Sequence, residues 1–289
     1  MSKIDILAQL AKEHNMPVYS ICSYENGTIY QKTINDTHRV NNLYSASKTF
    51  TSLAIGMLCD KNLLTMNDNV YDIIGSDIDN CPLVWKQVTL DILLSQRTGL
   101  AGMYLDVDSD DISKYRTDDF LELVLTHPMN YTPGEKFGYS DSNFYLASRI
   151  VHKVSGKTLQ EFLREELFRP MGFQAWSWAV CPQGHAMGGT GLYLNCKDML
   201  RFGIMMMDGT YQGKRYISES WLNNAKQPHS IVNENTYYGW GMWVNENGHR
   251  VSFSGAFGQV IHLNHDNNNV YAWQGYDTKG TEGPLYEVL

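Results

Sequence analysis

Apolar residues recur with a period near 3.6 through the middle of the chain and alternate with a period of two towards both ends. Ile6, Leu7, Leu10 and Ala11 predict a short helix over residues 4–13, ended by Pro17. Residues 18–23 and 28–32 flank Asn26-Gly27, the strongest two-residue turn signal, and predict a β-hairpin. Phe50, Leu53, Ala54, Met57 and Leu58 predict a helix that starts near Ser45. A polar loop at 65–69 and a short helix at 89–94 lead into a turn at 96–100. Residues 101–137 are acidic and loop-rich, with one helix over 118–125 capped by Thr117 and stopped by Pro128. A helix over 144–154 closes at Ser155-Gly156, and Thr158-Leu159-Gln160-Glu161 is a capping box that opens the next, which Pro170 and Gly172 end. Asn195 caps a helix reaching Met207, whose run of three methionines reads as core filler. From 238 to 276 the pattern is that of strands, separated by Asn247-Gly248 and by residues 266–269.

Strands at both ends with helices between them point to one antiparallel sheet, drawn from about 1–40 and 238–289, with a helical insertion over about 45–235. No repeat, low-complexity linker or clean boundary divides the chain, so a single domain is expected. With 43% hydrophobic and 19% charged residues, its 289 residues resemble a soluble globular protein. A formal charge of −8 without a basic cluster argues against nucleic acid or an anionic membrane as partner. Five scattered cysteines form no Cys-x-x-Cys pair, and the N-terminus lacks the long apolar core of a signal peptide. No stretch reaches membrane-spanning length, and a reducing cytoplasm is the expected location.

Within this frame, Ser45-Ala46-Ser47-Lys48 carries chemistry. Residues three apart share a helix face, so one turn returns Lys48 to the Ser45 hydroxyl. The Ser45 amide would fall among the unpaired N–H groups of a helix start. A hydroxyl needs a base to become a nucleophile, and a desolvated lysine is one. Alone the motif is weak: about one chance match is expected in a chain of this length. Ser45 could simply cap the helix. A second element is Tyr139 in the loop 137–143; beside a lysine, a tyrosine can share a proton as general acid/base. A third is Phe253-Ser254-Gly255-Ala256, where a glycine inside a strand marks a bulge or a close backbone approach. His262 and His265 fall in a strand and a turn, on opposite faces, and read as a polar surface pair rather than a metal site. There is no Gly-x-Ser-x-Gly elbow, His-Glu-x-x-His or phosphate-binding loop.

In this order and spacing the three elements resemble those of the serine β-lactamase and penicillin-binding-protein superfamily, most nearly its class C-like branch of esterases, D-amino-acid peptidases and β-lactamase-related hydrolases. The likeness covers nearly the whole chain and extends to Leu94-Ser95-Gln96-Arg97-Thr98-Gly99-Leu100, to residues 133–140 and to Gly191-Leu192-Tyr193. It implies an α/β sandwich, a central antiparallel sheet with an inserted helical region, and a catalytic groove between them. Ser45 would be the nucleophile, Lys48 a neutral base, and Tyr139 its partner and the acid for the leaving group. The oxyanion hole would be the Ser45 and Ala256 amides, with Asp141, Ser254 and Gly255 beside the substrate. The implied substrate is a small ester, amide or short peptide, with no metal or organic cofactor. A true β-lactamase or D,D-carboxypeptidase and a catalytically silent scaffold are the alternatives.

Two positions depart from the superfamily pattern of Tyr-x-Asn and Lys-Thr-Gly or His-x-Gly. Asp141 replaces the amide, and Phe253 stands where a Lys or His would lead the third motif. Both changes remove positive or add negative charge, so substrates bearing a carboxylate are expected to be poor. The chain also ends about a dozen residues after its last strand, so the helix that usually covers the sheet is expected to be very short or missing.

Overall fold

A computed structural model describes residues 2–35, 40–100, 102 and 104–289; the parts of the expected 1–40 and 101–137 segments at Met1, residues 36–39, Ala101 and Met103 lie outside them. The principal helices are α1 (Lys3–Glu13), α2 (Ser47–Asp60), α3 (Asp141–Ser155), α4 (Leu159–Leu163), α5 (Cys196–Asp208) and α6 (Gly283–Val288). The principal strands are β1 (Val18–Glu25), β2 (Thr28–Thr33), β3 (Ser230–Asn233), β4 (Thr236–Tyr238), β5 (Trp243–Val244), β6 (Arg250–Gly255), β7 (Gln259–Asn264) and β8 (Asn269–Gly275). They form one antiparallel sheet in the order β2-β1-β8-β7-β6-β5-β4-β3. The mixed α/β class with a sheet built from both ends of the chain is therefore the one the hydrophobic pattern indicates. The sheet also takes in residues 230–238, where short apolar-polar stretches gave no clear strand period.

Local chemistry explains most boundaries. Asn26 and Gly27 both have positive φ, 51° and 80°, as a two-residue hairpin turn requires. Thr158 and Glu161 form the reciprocal capping box, and Gly156 closes α3 at φ 71°. The helix expected over 118–125 is shorter, Phe120–Leu125, because Asp119 caps it; Thr117 instead accepts a hydrogen bond from the Asp119 amide at 3.1 Å. The C-terminal helix α6 has six residues.

Period two along β1 and β8 separates two cores. Ile21 faces Trp273 across the strands and joins Ile4, Leu7 and Leu285 in a small cluster under α1 and α6. The next pair, Cys22 and Ala272, turns to the larger core shared with the helices. There α5 covers the sheet, and Phe202 stacks on Phe50 of α2 at 3.6 Å and meets Phe253 edge-on at 5.8 Å. Each such fully buried aromatic contributes about 1.5–3 kcal/mol from apolar burial. His262, expected at the surface, is only 7% exposed, because β7 lies inside the sheet; its Nδ1 pairs with the Ser252 hydroxyl at 2.7 Å. Met205 and Met206 are core residues. Among the described residues no helix is long and apolar enough to cross a membrane.

Candidate active site

Ser45 sits in a 3-10 turn, Tyr44–Ala46, that runs directly into α2, two residues before the helix proper. Its side chain makes no capping bond, which removes the plainer reading of this serine. Tyr44 holds a left-handed φ of 47°, a conformation costing about 1–3 kcal/mol in a non-glycine residue unless its surroundings enforce it. They do: the Tyr44 amide donates to Asn42 Oδ1 at 2.9 Å, which also accepts from the Gly191 amide at 3.2 Å. The Tyr44 ring meets Phe257 edge-on at 5.0 Å.

Helix α2 is unusual in burying polar residues on every side of its first two turns. Ser47, Lys48, Thr49, Thr51 and Ser52 are all fully buried. Their polar atoms are paired with distant loops. Ser47 Oγ accepts from the Leu192 amide at 3.2 Å, Thr49 donates to the Gly241 carbonyl at 2.6 Å, and Thr51 donates to the Gly188 carbonyl at 2.8 Å. Ser52 donates to the Trp240 carbonyl at 2.8 Å. These bonds fix the axis from which Lys48 projects.

Lys48 Nζ donates to Ser45 Oγ at 2.9 Å, to Asp141 Oδ1 at 2.5 Å and to the Gly189 carbonyl at 2.9 Å. An ammonium has three N–H donors and no acceptor, and here each donor has a partner. Burial pushes the Lys48 pKa down, but Tyr139 and Asp141 together outweigh it and hold the group above its ordinary value. A resting neutral Lys48 is thus corrected: the geometry and the charges describe an ammonium paired with Asp141. Asp141 is 3% exposed in the first turn of α3, where the helix dipole favours a carboxylate.

Tyr139 is half-buried, with Lys48 Nζ 4.7 Å from its ring centre. Trp243 stacks on it at 5.7 Å, Tyr238 meets it edge-on at 6.1 Å, and Phe137 lies at 6.2 Å. Burial raises the Tyr238 pKa far above its usual value, so that hydroxyl stays protonated. On the opposite side, β6 ends at Gly255, pressed against the Ser45 turn. A Cβ there would stand 1.9 Å from the Leu43 carbonyl oxygen and 3.1 Å from the Ser45 nitrogen. The glycine of the third motif marks a close backbone approach, not a bulge. Ser254 is half-buried beside it, and Ala256 opens an exposed turn.

Phe253 does not line this site. It is 1% exposed and packs on Phe202, so its place in the motif is taken by a core contact. Arg97 and Lys136 are engaged elsewhere: Arg97 pairs with Asp91 at 2.6 Å, and Lys136 lies beside Glu135 and over the Tyr131 ring.

Several neighbours escaped the sequence reading. Gly189 supplies the carbonyl to Lys48, and a Cβ on it would stand 3.0 Å from Asp141 atoms. Gly188 and Gly191 flank it at φ 69° and 78°, and the Gly188-Gly189-Thr190-Gly191 run was the signal. Asp106 and Asp108 place their carboxylate oxygens within 4.8 Å of one another and of Asp141. Thr190 donates to Asp108, and Ser109 donates to Asp106 at 2.7 Å. Partial desolvation raises the Asp108 pKa, with Asp141 and Asp106 adding to the rise, although the residue as a whole is exposed. Such carboxylates suit a hard cation, but the Lys48 ammonium already neutralises Asp141. A cavity of about 650 Å³ bounded by Ser20, Asn195 and Cys196 includes none of the candidate residues.

Known proteins bear directly on this arrangement. The Beta-lactamase family pattern matches residues 4–274. Protein flp of Staphylococcus aureus (strain MRSA252) is 26% identical over 127 residues, 44% of this chain and 26% of its own length. The lovastatin esterase of Penicillium rubens is 27% identical over 152 residues, 45% of this chain and 37% of its own. The matched stretches thus span well under half of either relative. A Bacillus anthracis structure assigned as a 6-aminohexanoate-dimer hydrolase superposes with a TM-score of 0.81 at 18% identity, covering 96% of this chain and 79% of that one. At that identity the superposition speaks for the fold. The matched family pattern extends over nearly the whole chain, and the chain belongs to the beta-lactamase family.

Proposed function

We propose that this protein is a serine hydrolase that cleaves a small ester, amide or peptide-like bond through a Ser45 acyl-enzyme. The observation that carries the reading is Lys48 Nζ, 2.9 Å from Ser45 Oγ and 2.5 Å from Asp141 Oδ1 inside a closed environment. The proton route differs from a simple lysine base. As Ser45 Oγ attacks the carbonyl, Lys48 passes one proton to Asp141 and takes the proton of Ser45, so the lysine stays an ammonium and the carboxylate becomes an acid. Tyr139, beside Lys48, gives a proton to the leaving group and recovers one from the Lys48–Asp141 pair. Water then releases the acyl group by the reverse route. The Ser45 and Ala256 amides receive the developing oxyanion, a reading supported by the contact of Gly255 with the Ser45 backbone.

Substrate charge follows from the surroundings. Asp106, Asp108 and Asp141 cluster near Ser45, and Lys48 is the counter-charge to Asp141. Two unit charges about 4 Å apart interact by roughly 1 to 4 kcal/mol between bulk-water and near-surface screening. That is enough to disfavour a substrate carboxylate tenfold or more, so neutral esters and amides or amine-bearing ones are the proposed substrates. It weighs against penicillins and D-Ala-D-Ala-type peptides. The Penicillium rubens relative is named a lovastatin esterase, and the Bacillus anthracis structure is named for a 6-aminohexanoate-dimer hydrolase. A silent binding protein is the second reading, favoured by one observation: all three Lys48 donors are already engaged.

Intact-mass spectrometry after parallel exposure to an activated ester, a fluorophosphonate and a penicillin separates these readings. One adduct from the ester and fluorophosphonate, on the peptide containing Ser45 and absent in Ser45→Ala, is expected. Labelling that persists in Ser45→Ala overturns the assignment, and a wild type inert to both reagents supports the silent protein. Comparing kcat/KM for matched carboxylate, methyl-ester and amine substrates tests the charge argument, which a preferred carboxylate refutes.

A further inference from the structure

At the far end of α3 from Asp141, His152 faces His185 with ring centres 4.9 Å apart and planes at 66°. His152 lies in the last turn of α3, and His185 lies in the loop that follows the turn Cys181–Gly184. Gln160 of α4 reaches the same place, since its Nε2 donates to the carbonyl of Gly184, the residue before His185, at 3.0 Å. Three polar atoms here are shielded from solvent and have no partner: His152 Nδ1, His185 Nδ1 and Gln160 Oε1. Other histidines differ in part. His229 and His249 use ring nitrogens in hydrogen bonds, and His262 binds Ser252 through Nδ1, although its own Nε2 is shielded and without a partner.

Buried polar atoms are normally paired, so three orphans in one place call for a missing partner. Each neutral imidazole offers one lone pair, and an amide oxygen offers another, so the set is three acceptors without a donor. Two imidazoles on one tetrahedral zinc, each bonded at about 2.0–2.1 Å, place their ring centres roughly 5 Å apart. The observed 4.9 Å matches that spacing. We propose that His152, His185 and Gln160 bind a divalent late transition metal that ties α3, α4 and the 181–185 loop together. Imidazole nitrogen selects zinc, nickel or copper over magnesium or calcium. Arg149 and Asp119 are the charged groups felt by His185, and Glu161 is the one near His152. Arg149 is partly occupied by the Tyr145 hydroxyl at 3.1 Å.

The loop gives the metal a role. Four residues beyond His185, the same segment presents the Gly189 carbonyl to Lys48. A metal at His185 stiffens that segment from outside the site, without touching the reacting atoms.

The test uses the untagged full chain, stripped with chelator and titrated calorimetrically with ZnCl2 and with NiCl2, alongside His152→Ala, His185→Gln and the distant His249→Asn. Wild type and His249→Asn should bind one equivalent with equal affinity. The other two variants should bind at least tenfold more weakly while retaining the wild-type circular dichroism spectrum. Zinc at a hundredfold excess over its Kd should raise the wild-type melting temperature by roughly 4 °C, with no such rise in His152→Ala. Should a variant fail to fold, cobalt substitution of the wild type decides the matter. Visible absorption bands of a four- or five-coordinate site with nitrogen ligands support the proposal; a purely aqueous cobalt spectrum overturns it. No stoichiometric binding by the wild type, or equal binding in His152→Ala and His249→Asn, also overturns it.

Discussion

On its helical side the Ser45 site is saturated with charge and hydrogen bonds, whereas the strand facing it contributes no charged side chain from Phe253 to Phe257. Lys48, Asp141 and the Gly189 carbonyl answer one another on the first side, and three carboxylates crowd around them. On the second, Phe253 turns into the core and Gly255 brings bare backbone against the serine turn. One wall works through what its side chains carry; the other works through a side chain that is missing. The contrast teaches that a motif position can matter by volume alone, and that losing the lysine or histidine of the third motif need not disturb its backbone.

Breaking the strand wall should have a large effect. In Gly255→Ala a Cβ 1.9 Å from the Leu43 carbonyl forces the strand and the serine turn apart. Ester kcat/KM is expected to fall about 10²–10³-fold, as for loss of an oxyanion donor, while Ser254→Ala stays within a few-fold of wild type. Activity of Gly255→Ala within threefold of wild type would show that the close approach is dispensable.

On the helical wall, Asp141→Asn sharpens the comparison through pH. Lys48 is held above its ordinary pKa against its own burial, and Asp141 is one of the two groups responsible. Removing that anion leaves desolvation less opposed, so the Lys48 pKa falls. It also removes the carboxylate that takes the proton, so ester turnover at pH 7 is expected to drop about 10²–10⁴-fold and to climb with pH as neutral Lys48 becomes the base. The sign for folding is separate. A raised lysine pKa stabilises the fold at every pH below the unfolded value, and that contribution is lost only as alkaline pH passes the folded pKa. The variant should therefore melt lower at pH 7, by an amount that shrinks in strong alkali. Wild-type turnover and an unchanged pH–rate profile in Asp141→Asn would mean that Asp141 neither governs Lys48 nor takes its proton.

The smallest effect is expected at Phe253. Phe253→Leu keeps an apolar, similar-sized side chain against Phe202 and should cost less than about 1.5 kcal/mol in urea unfolding, with substrate charge preference unchanged. A shift in that preference would place residue 253 at the site after all. Phe253→Lys is a harsher change, because it puts an unpaired charge into the aromatic stack rather than into the site.

Helix faces, turn chemistry and the two-ended sheet were legible because caps and alternation are local: Asn26-Gly27, the Thr158–Glu161 box and Asn195 acted where they stood. Ser45, Lys48 and Tyr139 were found by spacing, and the structure brings them together with Gly255. What spacing missed was set by distance. Nothing local says that Asp106 and Asp108, inside an acidic loop, fold back on Asp141, or that Gly189 turns its carbonyl to a lysine 141 positions earlier. The direction of the Lys48 shift was missed for the same reason, since it depends on a count of neighbours rather than on the motif. Phe253 was misplaced because its sequence neighbours describe a motif, while its environment is decided by Phe202 on another element.

The hydroxyl-bearing start of α2 has a consequence for how the molecule comes into being. The partners that hold this helix and its lysine lie 93 to 192 residues further along the chain. All but Asp141 lie in the second half of the protein, so Thr49, Thr51 and Ser52 must wait, polar and unpaired, for the loops at 188 and 240. Loop closure over such lengths is slow, and chains dominated by distant contacts fold late and cooperatively. A polypeptide truncated before residue 240 would contain the serine, the lysine, the tyrosine and the aspartate, yet lack the loop that receives Thr49 and Ser52.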